Sequence, residues 1–125
     1  MLKSPTTNPG DDSTDLARLR RPPTHPGMLL ADFLRASKVS PVDAARRMSM
    51  SLTRLNDIRL GKRRMTPETC VQVGALTNTR PEFWGHLQMR HDVWHAMQEH
   101  ADAVRRIHPI APDPSPHTHA HASTR

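Results

Sequence analysis

Residues 40 to 61 read Ser40-Pro41-Val42-Asp43-Ala44-Ala45-Arg46-Arg47-Met48-Ser49-Met50-Ser51-Leu52-Thr53-Arg54-Leu55-Asn56-Asp57-Ile58-Arg59-Leu60-Gly61. Serine before proline is a strong helix start. The hydroxyl accepts from an unpaired amide of the first turn, and proline, with no amide to lose, takes the first helical position. Asp43 stands third, where its carboxylate meets the positive end of the helix. The pattern predicts a helix over residues 41–48 that buries Ala44, Ala45 and Met48. Ser49-Met50-Ser51 leaves room only for a tight corner, Ser51 caps a helix over residues 52–60, and Gly61 ends it in a left-handed conformation. Ala45 is small where the two helices cross, and Leu55 and Ile58 point back into the core, as a helix-turn-helix requires.

With Leu55 and Ile58 inward, Thr53, Arg54, Asn56 and Asp57 are expected to face outward. They carry the groups that read base edges: guanidinium for guanine, carboxamide for adenine, carboxylate for the cytosine amino group. The expected phosphate contacts are Ser40 and Ser51 at the helix starts, Arg47, and Lys62, Arg63 and Arg64 in the loop beyond the reading helix. The same side chains would also suit an ordinary solvated face of a helical domain.

Outward from this pair the apolar spacing stays helical, and five helices with no sheet are expected. The first covers residues 26–37, with Leu30, Phe33 and Leu34 facing the core. Thr66-Pro67-Glu68 repeats the cap, proline, acid signature and opens the fourth, with Cys70, Val73 and Leu76 inward and Asn78 as a left-handed stop. The fifth runs from Pro81 to about residue 106. Phe83, Trp84 and Leu87 can close the core, which leaves Trp94 and Met97 as an apolar continuation without an intramolecular partner and therefore as the expected homodimer face.

Charge and composition narrow the function. Residues 18–64 hold twelve Lys and Arg against Asp32, Asp43 and Asp57, whereas the chain on either side is slightly acidic. A basic stripe of that kind favours approach to a polyphosphate such as double-stranded DNA. Five of the twelve prolines precede Gly27 and four lie between Pro109 and Pro116. The expected organisation is therefore a disordered arm over residues 1–20, a folded DNA-binding and dimerisation domain over 21–107, and a disordered Pro/His-rich tail over 108–125. The longest apolar run, Met28 to Ala31, is too short for a membrane span or a secretory signal, so a soluble, cytoplasmic protein with no membrane partner is expected. Lone Cys70 cannot build a thiolate metal cage and reads as a buried small side chain.

A competing class is a zinc-dependent hydrolase. His91 and His95 share a helix face at i, i+4, and Asp92 stands where a metalloprotease motif places its general base. Asp is one methylene shorter than the usual Glu and no third ligand is evident, so no enzyme, metal or cofactor is expected.

A wider set of segments, in order, resembles a known family. They are Arg21-Pro22-Pro23-Thr24-His25-Pro26-Gly27, Ser40 to Met50, Asp57-Ile58 with Gly61-Lys62-Arg63, Thr66-Pro67-Glu68-Thr69, and Arg80-Pro81-Glu82-Phe83-Trp84 with Leu87-Gln88. Together they resemble the HigA/VapI-type antitoxins of the lambda-repressor-like helix-turn-helix superfamily over residues 21–97. The resemblance implies a five-helix domain that represses its own operon as a dimer on a palindromic operator and neutralises a RelE-like ribonuclease toxin. A stand-alone helix-turn-helix regulator with no toxin would show the same DNA-binding features. Met28, Lys38, Ser49, Arg59 and Arg80 depart from the family pattern; Lys38 and Ser49 replace glycines, and Arg80 replaces a capping hydroxyl.

Overall fold

Four of the six complete helices among the described residues start at prolines. In the computed structural model, which describes residues 16–111, α1 (Pro26–Ala36), α2 (Pro41–Arg47), α4 (Pro67–Thr77) and α5 (Pro81–Glu99) each carry proline at the first position; α3 (Leu52–Arg59) and α6 (Ala101–Arg105) do not. For α1 to α4, the residue before the start supplies the cap. Ser40, Ser51 and Thr66 accept from the amides of Asp43, Arg54 and Thr69, and His25 does the same through Nδ1 toward Gly27, at 2.9 Å. Arg80, in the capping position of α5, makes no such bond.

The α1 helix lies on α3 and reaches α5, α2 crosses α3, and α4 pairs along α5. One core joins them: Leu30 and Leu34 of α1, Ala44 and Ala45 of α2, Leu55 and Ile58 of α3, with Met48, Met65, Cys70, Val73 and Trp84. The approach of α1 to α3 is close, since a Cβ on Gly27 would fall 1.7 Å from the Ile58 carbonyl oxygen. Both replaced glycine positions keep the left-handed backbone, with φ 60° at Lys38 and 55° at Ser49. Each therefore carries around 1 kcal/mol of local strain that the surrounding core offsets. Gly61 (φ 77°) and Asn78 (φ 56°) take the left-handed role expected of them.

The helix count is a correction. Among the described residues there are six complete helices, and residues 16–18 are also helical. The expected fifth helix divides at His100, because beyond Gln88, the last buried side chain of α5, little apolar contact holds the chain, and α6 buries nothing. The arm expected to be unfolded to residue 20 has structure from Leu16, which is buried. Residues 1–15 and 112–125, on which the rest of the tail expectations fall, lie outside the described residues, while residues 108–111 are exposed and not helical. Phe33 and Phe83, expected inside, are 38% and 47% exposed. On α1 the buried stripe is Gly27, Leu30 and Leu34, and Phe33 stands about 100° to the side of Leu34. No helix among the described residues is long and apolar enough to cross a membrane.

Candidate nucleic-acid interface

The geometry of α3 follows from which side of it is buried. Thr53 is exposed on the side opposite Leu55 and Ile58. Asn56 and Asp57 flank it half-buried; Asn56 Oδ1 accepts from Arg59 Nη1 at 2.5 Å, and Asp57 pairs with Arg63 at 3.6 Å. Arg54 departs from expectation. It stands one turn before Ile58 and so shares the flank of the buried stripe. Its Nη2 donates to Thr69 Oγ1 of α4 at 2.9 Å, and its Nε is buried without a partner. Arg54 thus ties the start of α3 to α4. Arg59, one turn after Leu55, is the mirror case, half-buried with an enclosed and unpaired Nε.

Ser40 and Ser51 are both exposed, and each hydroxyl also caps its helix. Arg47 projects from α2 and shares Asp43 with Arg46, its own bond being 2.9 Å. Lys62, Arg63 and Arg64 form an exposed loop after α3, as expected. The loop is braced from behind. Gln88, buried on α5, accepts from the Met65 amide at 2.8 Å and donates to Asp92 Oδ1 at 2.9 Å, while Asp92 Oδ2 receives Arg64 Nε at 2.9 Å and Nη2 at 2.5 Å. Burial raises the Asp92 carboxyl, but the hydrogen bonds from Arg64 and Gln88 outweigh it and hold the group below its ordinary range.

The His91-Asp92-Val93-Trp94-His95 segment is built as a joint. The His91 ring packs edge-on to His25 (5.0 Å between centroids) and to His95 (4.6 Å), and its Nδ1 bonds the Pro23 carbonyl at 2.8 Å. Asp92 is committed to Arg64 and Gln88. Among the described residues no group of three or more His, Cys, Asp or Glu is placed to hold a metal ion, so the hydrolase reading finds no support. Burial, together with the neighbouring His91, lowers the pKa of His25 from its ordinary value, and burial pushes the Cys70 thiol up. Trp94 corrects another expectation: its indole donates to the Leu19 carbonyl at 3.1 Å, so it does have an intramolecular partner.

Thr69, Gln88 and the capping role of His25 were missed from sequence. The cap was open to discovery, because His25-Pro26 has the same cap and proline arrangement as Ser40-Pro41 and Thr66-Pro67. Gln88 carried no such signal.

A short capped helix pair, an exposed reading face and a basic loop at its end define an all-α helix-turn-helix DNA-binding protein. No family model matches the chain. It is 33% identical over 89 residues to Virulence-associated protein A' of Dichelobacter nodosus, a match covering 70% of this chain and 76% of that protein. The fold superposes on Pseudomonas aeruginosa antitoxin HigA, solved with the higBA promoter, with a TM-score of 0.67 and 27% identity over 71% of this chain and 99% of HigA. It superposes equally on the P. aeruginosa protein PA4674 in complex with its operator DNA, with a TM-score of 0.67 and 29% identity over 70% and 99% of the two chains. The chain belongs to the HigA/VapI-type antitoxin family of the lambda-repressor-like superfamily.

Proposed function

We propose that this antitoxin binds, as a cytoplasmic homodimer, a near-palindromic operator before its own gene and neutralises a ribonuclease toxin of RelE-like fold. The observation that carries the DNA part is the exposed Thr53 face of α3, the helix that runs from the Ser51 cap to the Lys62-Arg63-Arg64 loop and is crossed by α2. Relatives of the same fold are solved with promoter or operator DNA. Thr53, Asn56 and Asp57 are the base contacts of this reading. Arg54 joins them only by exchanging its Thr69 bond for a base edge. Ser40, Ser51, Arg47, Lys62, Arg63 and Arg64 are the phosphate contacts.

One such domain reads only a few base pairs, whereas two related by a twofold axis reach major-groove faces ~34 Å apart. We assign the dimer face to the half-buried Trp94 and Met97, within a DNA-binding and dimerisation unit that spans residues 21–107 and gains Leu16 at its N-terminal side. Trp94→Ala then shifts the mass in solution toward the 14.1 kDa of one chain and weakens operator binding more steeply than nonspecific binding. An unchanged dimer mass moves the interface elsewhere. The function is tested by titrating the chain onto DNA from upstream of its coding sequence, and by expressing the adjacent gene with and without it. Growth arrest relieved by this chain is the expected result. A harmless neighbour leaves a regulator without a toxin.

A further inference from the structure

We propose that the segment from Leu16 to Thr24 is a second DNA-contacting element, an arm that holds Arg18, Arg20 and Arg21 against the phosphate backbone beside the end of α3. This rests on the DNA-binding reading above and assigns residues that reading does not use.

The arm is fastened at three points. Leu16 is buried at 3% exposure, the Leu19 carbonyl accepts from Trp94 Nε1, and the Pro23 carbonyl is bonded by His91 Nδ1. Between these anchors Arg18, Arg20 and Arg21 are all exposed, and among the described residues none of them is in an ion pair. Pro22 and Pro23 stiffen the backbone that carries them, which lowers the entropy lost on binding. The direction of the chain gives the arm its partner. Arg21, Pro22 and Pro23 line a cleft of ≈ 370 Å³ together with Met28, Leu60 and Gly61, so Arg21 stands at the C-terminal end of the reading helix, next to the start of the Lys62-Arg63-Arg64 loop. The arm therefore adds Arg21 at the end of α3, beside the three cations of that loop, with Arg18 and Arg20 one to three residues before it in the chain. Exposed guanidiniums on a backbone anchored at three points suit phosphates, which Arg binds through its planar fork.

The test compares the full chain with its Arg18→Gln/Arg20→Gln/Arg21→Gln variant. Each is titrated by fluorescence anisotropy onto a duplex from immediately upstream of its coding sequence and onto a scrambled duplex of equal length, over a series of salt concentrations. The variant is expected to melt with the parent, because the three side chains are exposed. It should lose about tenfold or more in affinity on both duplexes alike, with a slope of log K against log salt shallower by about 2.7 per arm, since each of the three lost phosphate contacts removes ~0.9. The Arg18→Lys/Arg20→Lys/Arg21→Lys variant should keep the parent's slope. An unchanged slope in the Gln variant overturns the proposal. An equal loss per removed charge in an Arg80→Gln/Arg106→Gln variant reduces the effect to net charge and also overturns it. Failure of the parent to bind either duplex overturns the DNA-binding reading, and the proposal with it.

Discussion

Between Ser40 and Leu60 the backbone is fixed by side-chain caps three residues from the amides they serve and by a few small or apolar side chains that interlock: Ala44, Ala45, Leu55 and Ile58. Around α5 the shape depends on polar pairs far apart in the chain. Gln88 reaches 23 residues back to Met65, Asp92 28 residues back to Arg64, His91 68 residues back to Pro23, and Trp94 75 residues back to Leu19. The helix-turn-helix is held by local caps and close apolar packing, and the α5 seam by polar pairs that bridge distant parts of the chain. The reading unit can thus vary its surface freely, while the seam that sets the loop and the arm beside it is sensitive to single polar changes.

The comparison breaks most sharply at Leu55. This side chain is fully enclosed at the crossing of α2 and α3. Leu55→Ala should destabilise the domain by about 2–5 kcal/mol, the range for a large-to-small change in a close-packed core. Chemical denaturation measures it. A loss under ~1 kcal/mol would mean that the core is not centred on the helix pair.

At the seam the corresponding change is Gln88→Ala. Gln88 is 2% exposed and satisfies the Met65 amide while steadying Asp92. Its removal leaves a buried donor unpaired, at a cost of about 1–3 kcal/mol. Amide exchange at Met65 and Thr66 should accelerate while the amides of α2 and α3 stay protected. Uniform acceleration across both regions would show that the seam and the helix pair unfold as one unit.

What could be read from the sequence divides along the same line. Ser40-Pro41, Thr66-Pro67, Gly61 and Asn78 each place a start or stop through chemistry confined to a few neighbouring residues, and the helix pair with Ala45, Leu55 and Ile58 buried followed from them. Arg54 was misplaced because the outward face was judged from Leu55 and Ile58 without the helix that packs beside them, where Thr69 waits for its guanidinium. Trp94 was left without a partner because the arm that meets it is 75 residues away and has no periodicity of its own. Asp92 was weighed as a general base beside two histidines, where the fold uses it to brace Arg64. A local pattern shows which groups share a helix face, but not what the rest of the chain brings to that face.

Acid should sharpen the contrast. His25 caps α1 through an unprotonated Nδ1 and packs beside His91 of α5 and against Gly61. Burial is the main cause of its lowered pKa; His91 and Arg64 add to it, and Asp92 and the Arg63 backbone oppose it. The unfolded chain therefore takes up the proton first. Stability is full above the ordinary histidine value of about 6.5 and falls as the pH drops below it toward the folded-state value. His25→Asn keeps a capping acceptor without a titrating ring. In thermal melts the variant should show a flatter decline between pH 6.5 and pH 5 than the parent. An identical decline would assign the acid sensitivity to other groups.

The smallest effect separates two uses of the basic loop. Arg64 is set by both Nε and Nη2 on one oxygen of Asp92, whereas Lys62 has no ion pair among the described residues. Both side chains are exposed, so neither should matter much to folding, and a half-exposed pair such as Arg64 with Asp92 contributes about 0.2–1 kcal/mol. The contrast lies in DNA binding. If Lys62 is free to meet a phosphate, Lys62→Gln should lower the salt slope by about one unit without a change in stability. Arg64→Gln should instead give a small loss of stability and a smaller change in slope, because its guanidinium is already neutralised by a carboxylate that the Gln88 amide holds in place. Asp92→Asn then releases Arg64, and in that background Arg64→Gln should lower the slope by the full unit. Equal slope changes for Lys62→Gln and Arg64→Gln in the parent would show that Arg64 leaves Asp92 when DNA arrives, and that the brace behind the loop is a resting contact rather than a permanent one.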